Sequence, residues 1–240
     1  MAAEEPRASG SILDHPELVF QKRVFSFAKE RGGAISVGLQ CAIAYAGSQF
    51  PRSLQGVFLW PAAEALSEFS AANSSRFSGK KVLELGAGAG LLGLTIAKCD
   101  PPPLKVVITD GSALAVELLR ENLRMSLESS DVDAATPEID ARILLWGVPL
   151  PNESDGGEFD VVIGADLVFD DDCDVFGLLR TAKEALAAGG EFILGMMDRS
   201  ERVRSRFERE AAEFGCEWKK DVFKSESWRD SVILVYTLKF

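Results

Sequence analysis

The residues best suited to chemistry begin at Val82-Leu-Glu-Leu-Gly-Ala-Gly-Ala-Gly-Leu-Leu-Gly93. Residues 82–85 read as a buried parallel strand, Gly86, Gly88 and Gly90 alternate after it, and residues 91–98 read as a helix. Glycine turns a chain at positive φ and lets a ligand lie directly against the backbone. The spacing selects the ligand. A dinucleotide fingerprint places its third glycine three residues after the second, to admit a pyrophosphate. That position here is Leu91, and Glu84 puts an acid just before the turn, where a second anion is unwelcome. A plain tight turn is the alternative. Asp110, closing the next apolar run, can accept hydrogen bonds from both hydroxyls of a ribose, or cap the following helix. Glu84 can meet an ammonium group of the ligand or bind N–H groups of the turn; a buried carboxylate needs one of the two. Trp146 can offer a flat face to an aromatic base or fill the core, and the sequence leaves both open.

The remaining pattern predicts the elements that position these residues. Residues 1–14 are small and polar and read as a mobile tail, residues 15–56 as an N-terminal extension, and residues 57–240 as the main domain. In the extension Phe25 and Phe27 alternate, as do Ile35, Val37 and Leu39, around Arg31-Gly-Gly33, which predicts a hairpin; residues 40–55 are ambiguous. Pro61 suits the first turn of a helix whose Ala62, Leu66 and Phe69 share a face. Further strands are expected at 105–110, 141–146, 159–165, 191–196, 216–223 and 231–239. Amphipathic helices fall between them, with Ala115, Leu118, Leu119 and Asn122 on one face, then Val175 to Leu186 closed by Gly189-Gly190, then residues 200–214 stopped by Gly215. The fold class expected is α/β: a Rossmann-like, doubly wound, seven-stranded, mostly parallel sheet with an N-terminal β-hairpin extension. Such sheets bind ligands at the carboxyl ends of the strands, so the turns carrying Gly86 to Gly90, Asp110, Trp146 and Asp166 should converge on one crevice.

Composition narrows the function classes. A chain of 240 residues, 47% hydrophobic, can form one globular domain with a sizeable core. Its formal charge of −11 disfavours a nucleic-acid-binding surface, which needs Lys and Arg stripes. Cys41, Cys99, Cys173 and Cys216 form no Cys-x-x-Cys pair, which fits free thiols in a reducing compartment, and the single histidine, His15, argues against histidine catalysis and a multi-histidine metal site. With no basic-then-apolar leader pattern and no run of eighteen apolar residues, the expectation is a cytoplasmic, or alternatively nuclear, protein without membrane attachment.

Five segments occur together and in order: Leu59-Trp-Pro-Ala-Ala63, the glycine-rich stretch, Thr109-Asp110 with Leu118 and Asn122, Leu145-Trp-Gly147, and Gly164-Ala-Asp-Leu-Val-Phe169. The glycine motif resembles that of the class I, seven-β-strand methyltransferases, whose cofactor is S-adenosylmethionine. The whole set, over residues 55–198, resembles the protein-lysine methyltransferases of methyltransferase family 16. The resemblance implies that Trp60 and Trp146 wall the cofactor pocket, that Asp110 holds the ribose, and that Glu84, Gly86, Gly88, Gly90 and Ala165 complete the cofactor set. For Trp60 the alternative is a hydrophobic plug under the sheet. The resemblance also implies that Asp166 and the aromatic three residues later lie at the substrate lysine. The usual aromatic is tyrosine; here it is Phe169, which removes a hydroxyl. Asp170, Asp171, Asp172 and Asp174 add either an acidic rim for a basic segment or a solvated loop whose last Asp caps the next helix.

The partner implied is a protein with an accessible lysine, met by a monomer without metal. A small-molecule N-methyltransferase would share the fold and cofactor site, as would an arginine methyltransferase using Asp166 on a guanidinium or a non-catalytic cofactor-binding partner protein. The Asn/Asp-Pro-Pro-aromatic tetrapeptide of adenine-N6 enzymes is absent.

Overall fold

The computed structural model describes residues 18–43, 52–128, 137–150 and 157–240, so the expected tail at 1–14 lies outside the described residues. In chain order the elements are β1 (Phe20–Ala28), β2 (Ala34–Ala42), α1 (Arg52–Gln55), α2 (Pro61–Ala72), β3 (Lys81–Glu84), α3 (Leu91–Ala97), β4 (Lys105–Asp110) and α4 (Ala113–Glu128). β5 (Glu138–Ile143), β6 (Phe159–Ala165), α5 (Val175–Ala185), β7 (Leu186–Met197), α6 (Glu201–Glu213), β8 (Glu217–Phe223) and β9 (Ile233–Lys239) follow.

β1 and β2 form the antiparallel hairpin, with Phe25 opposite Val37 and Phe27 opposite Ile35. The other strands make one seven-stranded sheet in the order β5-β4-β3-β6-β7-β9-β8, parallel except where β9 runs against β7 and β8. Strand order reverses beside β3, between β4 and β6, which is where a doubly wound sheet opens a crevice.

Period-two alternation assigns the two faces. Val82, Val106, Ile108, Val161 and Ile163 point into a core shared with the hairpin and α2 to α4, whereas Leu83, Val107 and Val162 point into one built with α5 and α6. Phe25, Phe27, Ile35, Val37 and Leu39 are all buried in the first core, so the hairpin covers that face of the main fold. At about 1.5–3 kcal/mol per buried large apolar side chain, these five are a substantial part of its stability.

Boundaries differ from the sequence reading most at β5 and at the junction of α5 and β7. β5 covers Glu138–Ile143, and the apolar Leu144 to Trp146 forms the turn after it. A short 3-10 turn, Ser74–Arg76, joins α2 to β3. Gly189-Gly190 does not cap α5. That helix ends at Ala185, and β7 starts at Leu186 opposite Phe159, then shifts register so that Glu191 faces Val161. The glycines lie in this irregularity, with Gly189 at φ +81°, where a bulge favours glycine.

Candidate active site

The carboxyl ends of β3, β4 and β6, the turn after β5 and the segment leading into α2 enclose a cleft of about 560 Å³. Small-molecule sites commonly span about 300–1,000 Å³. Its lining includes Trp60, Glu84, Gly86, Gly88, Asp110, Trp146, Ala165, Asp166 and Phe169. Gly90 is outside the lining: at φ +88° it starts α3, and a Cβ there would run into Leu119 of α4.

The floor is a turn whose glycines have no room for a side chain. Gly86 and Gly88 take φ of +59° and +56°; a Cβ on Gly86 would lie 2.6 Å from Leu167 Cδ2, and one on Gly88 2.8 Å from the carbonyl oxygen of Gly56. Gly88 N–H donates to Asp110 Oδ2 (2.9 Å) and Ser112 N–H to Asp110 Oδ1 (2.8 Å). One carboxylate thus ties the glycine turn to the start of α4 while facing the cleft. Burial pushes the Asp110 carboxyl up, against the lowering effect of these N–H donors. Glu84 Oε2 accepts the Gly93 N–H at 2.8 Å, a bond made possible because Gly93 has no side chain to fill the space. Burial also holds the Glu84 carboxyl well above the usual carboxylate range, opposed by the Gly93 bond and reinforced by the charge of Asp110. A buried acid, Glu84, and a half-buried one, Asp110, at one cleft suit a ligand with hydroxyls and a positive charge.

Trp146 is half-buried and serves both alternatives, packing on the α5–α6 core and lining the cleft. Trp60 is 38% exposed, which excludes the plug under the sheet. Its Nε1–H donates to the Gln55 carbonyl (3.1 Å), and its ring stacks on Phe169, with centroids 6.2 Å apart and planes 13° apart. Asp166 follows β6 at φ +56°, the one non-glycine at positive φ among the described residues. Such a conformation costs about 1–3 kcal/mol and is concentrated at functional sites. Its carboxylate is engaged on both oxygens, Oδ1 by Met197 N–H (3.0 Å) and Oδ2 by Arg199 Nη2 (2.6 Å). The acidic rim is largely committed as well. Asp171 pairs with Arg202, Arg206 binds the carbonyls of Asp170, Asp171 and Cys173, and Asp174 caps α5 through Gly177 N–H.

Residues with a part in this geometry that the sequence reading did not single out are Gly56, which lets Gly88 approach, Arg199, and Asn122 in its polar capacity. Asn122 is fully buried; its Oδ1 accepts the Gln40 N–H, and its Nδ2 donates to the carbonyls of Gln40 and Ala89. An asparagine on an otherwise apolar helix face was the available signal.

The sequence profile of the family described as lysine methyltransferase matches residues 52–213, a span holding every element of the cleft. The chain belongs to the lysine methyltransferase family. Among relatives, the "Protein-lysine N-methyltransferase EEF2KMT" of Homo sapiens is 31% identical over 149 residues, covering 60% of this chain and 43% of that protein. The "Histone-arginine methyltransferase METTL23" of Xenopus laevis is 30% identical over 115 residues, covering 48% and 45%. The chain therefore spans less than half the length of these two family relatives. Among solved structures, a SAM-dependent methyltransferase from Aquifex aeolicus superposes with a TM-score of 0.57 at 15% identity, covering 75% of this chain and 93% of that one, a likeness of fold. The family's fold here thus comes with a glycine-rich turn, two acids and an aromatic-walled end.

Proposed function

We propose that this chain is an S-adenosylmethionine-dependent methyltransferase acting on a lysine side chain of a protein. The observation that carries the reading is the joining of two subsites in one cleft: a glycine turn flanked by Glu84 and Asp110, and an end walled by Trp60, Phe169 and Asp166. The first subsite fits the cofactor, because the turn leaves backbone bare and the acids match ribose hydroxyls and an ammonium group. When bound, S-adenosylmethionine supplies a methyl group on a positively charged sulfur.

Asp110 would hold the ribose, Glu84 the ammonium group and Trp146 the adenine face, with Ala165 and Trp60 closing the pocket. A free lysine carries a proton with a reference pKa near 10.4, and losing it at pH 7 costs about 4.6 kcal/mol. The residues of the acceptor end therefore have to align the side chain, exclude water and let the amine lose its proton before transfer. Trp60 and Phe169 present faces able to hold an alkylammonium by about 0.5–2 kcal/mol before the proton leaves. Asp166 fixes the turn that carries Phe169.

The test is to incubate the purified protein with labelled methyl donor and a cell lysate, beside Asp166→Ala. Label on protein lysines with wild type and its loss with the variant, cofactor affinity being kept, is the expected result. Full activity of Asp166→Ala overturns the acceptor assignment.

A further inference from the structure

The acceptor end of the cleft faces a cation of its own. Arg199, just beyond β7, donates from Nη2 to Asp166 Oδ2 at 2.6 Å, and the Asp166 side chain is only 3% exposed. The guanidinium carbon lies 5.8 Å from the centre of the Trp60 ring, the same ring that stacks on Phe169. Trp60, Asp166 and Phe169 line the cleft, whereas Arg199 lines a small neighbouring recess with Phe169, Met197 and Asp198. The Asp166 carboxylate thus stands between the cleft and a resident guanidinium.

The other charged groups around the pair are engaged elsewhere. From the β7–α6 side, Asp198 pairs with Arg204. From the loop before α5, Asp171 pairs with Arg202, and Asp170 accepts from Asp172 N–H and the Cys173 thiol, which burial pushes up. Arg206 is held by Glu210 and by loop carbonyls. Across the cleft stand Glu84, Asp110 and Asp174, each bonded to backbone N–H groups.

A lone carboxylate beside the acceptor would hold a lysine as its ammonium ion, since an opposite charge at close range favours the charged form by about 1–3 pKa units. That is the wrong direction for a nucleophile, which needs its nitrogen lone pair free. We propose that Arg199 is a positioning residue that cancels the charge of Asp166, so that the acceptor subsite favours a neutral amine over an ammonium ion. The inference rests on the lysine reading of the cleft. The lysine gives its proton to water, its lone pair forms the new N–C bond, and the C–S bond breaks with its electrons going to sulfur. Arg199 acts before this, on the protonation equilibrium.

Arg199→Gln and Arg199→Lys separate charge from structure. The first readout needs no methyl donor: n-butylammonium chloride, a mimic of the lysine side chain, is titrated into the purified protein at pH 7 and followed by NMR. Arg199→Gln should bind it about tenfold tighter than wild type, the equivalent of roughly one pKa unit, and Arg199→Lys should match wild type. The second is the pH profile of label transfer to protein lysines, whose acid limb should move up by about one unit in Arg199→Gln only. A merely structural role predicts weaker binding and an unmoved limb. Equal or weaker binding by Arg199→Gln, a superimposable limb, or the same change in both variants overturns the inference. If wild type labels no lysine, the lysine reading fails, and the butylammonium comparison still decides whether Arg199 neutralises this subsite.

Discussion

Asp110 commits its two carboxylate oxygens to Gly88 N–H and Ser112 N–H, so the group proposed to hold the ribose also holds the turn beneath it. Asp110→Ala removes charge-assisted hydrogen bonds worth about 1.5–3 kcal/mol, which corresponds to at least a roughly tenfold loss of S-adenosylmethionine affinity by calorimetry. Unchanged affinity would falsify the ribose assignment. Glu84 gives a pH-dependent counterpart. Burial raises its carboxyl well above the ordinary 4.5. A carboxyl with a raised folded value contributes fully below its unfolded value, and that contribution is lost as pH rises through the folded value. Wild type without cofactor should therefore lose stability relative to Glu84→Gln as pH rises above the ordinary carboxylate range. The glutamine can still accept the Gly93 N–H, but it lacks the charge proposed to meet the cofactor's ammonium group. Melting curves of the two proteins from pH 5 to pH 8 should diverge progressively, and a constant offset would show that Glu84 does not titrate in this range.

At the scale of elements, the cleft depends on how α2 and α4 begin and on what they carry. Pro61 starts α2, and Trp60 ahead of it is fixed by the Gln55 carbonyl with its ring against Phe169. Because Trp60 is 38% exposed, Trp60→Ala should cost well under the roughly 3–5 kcal/mol of a buried tryptophan while weakening cofactor binding. A large fall in the melting temperature of the cofactor-free variant would contradict the pocket role. Asn122 of α4 ties the hairpin to the glycine turn through Gln40 and Ala89. Asn122→Ala strands buried polar groups at about 1–3 kcal/mol each and should speed amide exchange both in β2 and at residues 86–90. Faster exchange in β2 alone would mean that the hairpin does not brace the turn.

At the scale of the molecule, legibility followed locality. β4 and β6 stand where their apolar runs predicted, since strands buried on both faces declare themselves by composition. β5 is an edge strand carrying Glu138, Asp140 and Arg142, so its polar start hid it and the apolar Leu144 to Trp146 drew the expected strand too far. The turns carrying Gly86 to Gly90, Asp110, Trp146 and Asp166 could be brought together from topology alone, because a doubly wound sheet aligns its strand ends. Arg199 could not, as its partner Asp166 lies 33 residues earlier and only the β6–β7 pairing makes them neighbours. Nor could Gly56, which stands in line with nothing until the Gly88 turn folds against it. Among the described residues no helix is long and apolar enough to cross a membrane, and no group of three or more His, Cys, Asp and Glu is placed to hold a metal. Methyl transfer to lysine, the proposed reaction, is read most directly by amino-acid analysis of lysate protein incubated with the purified protein and labelled S-adenosylmethionine. Methyllysine as the labelled product, absent with Asp110→Ala at low cofactor concentration, is the expected result. Label in methylarginine, in nucleic acid or in a free metabolite, with none in methyllysine, would contradict it.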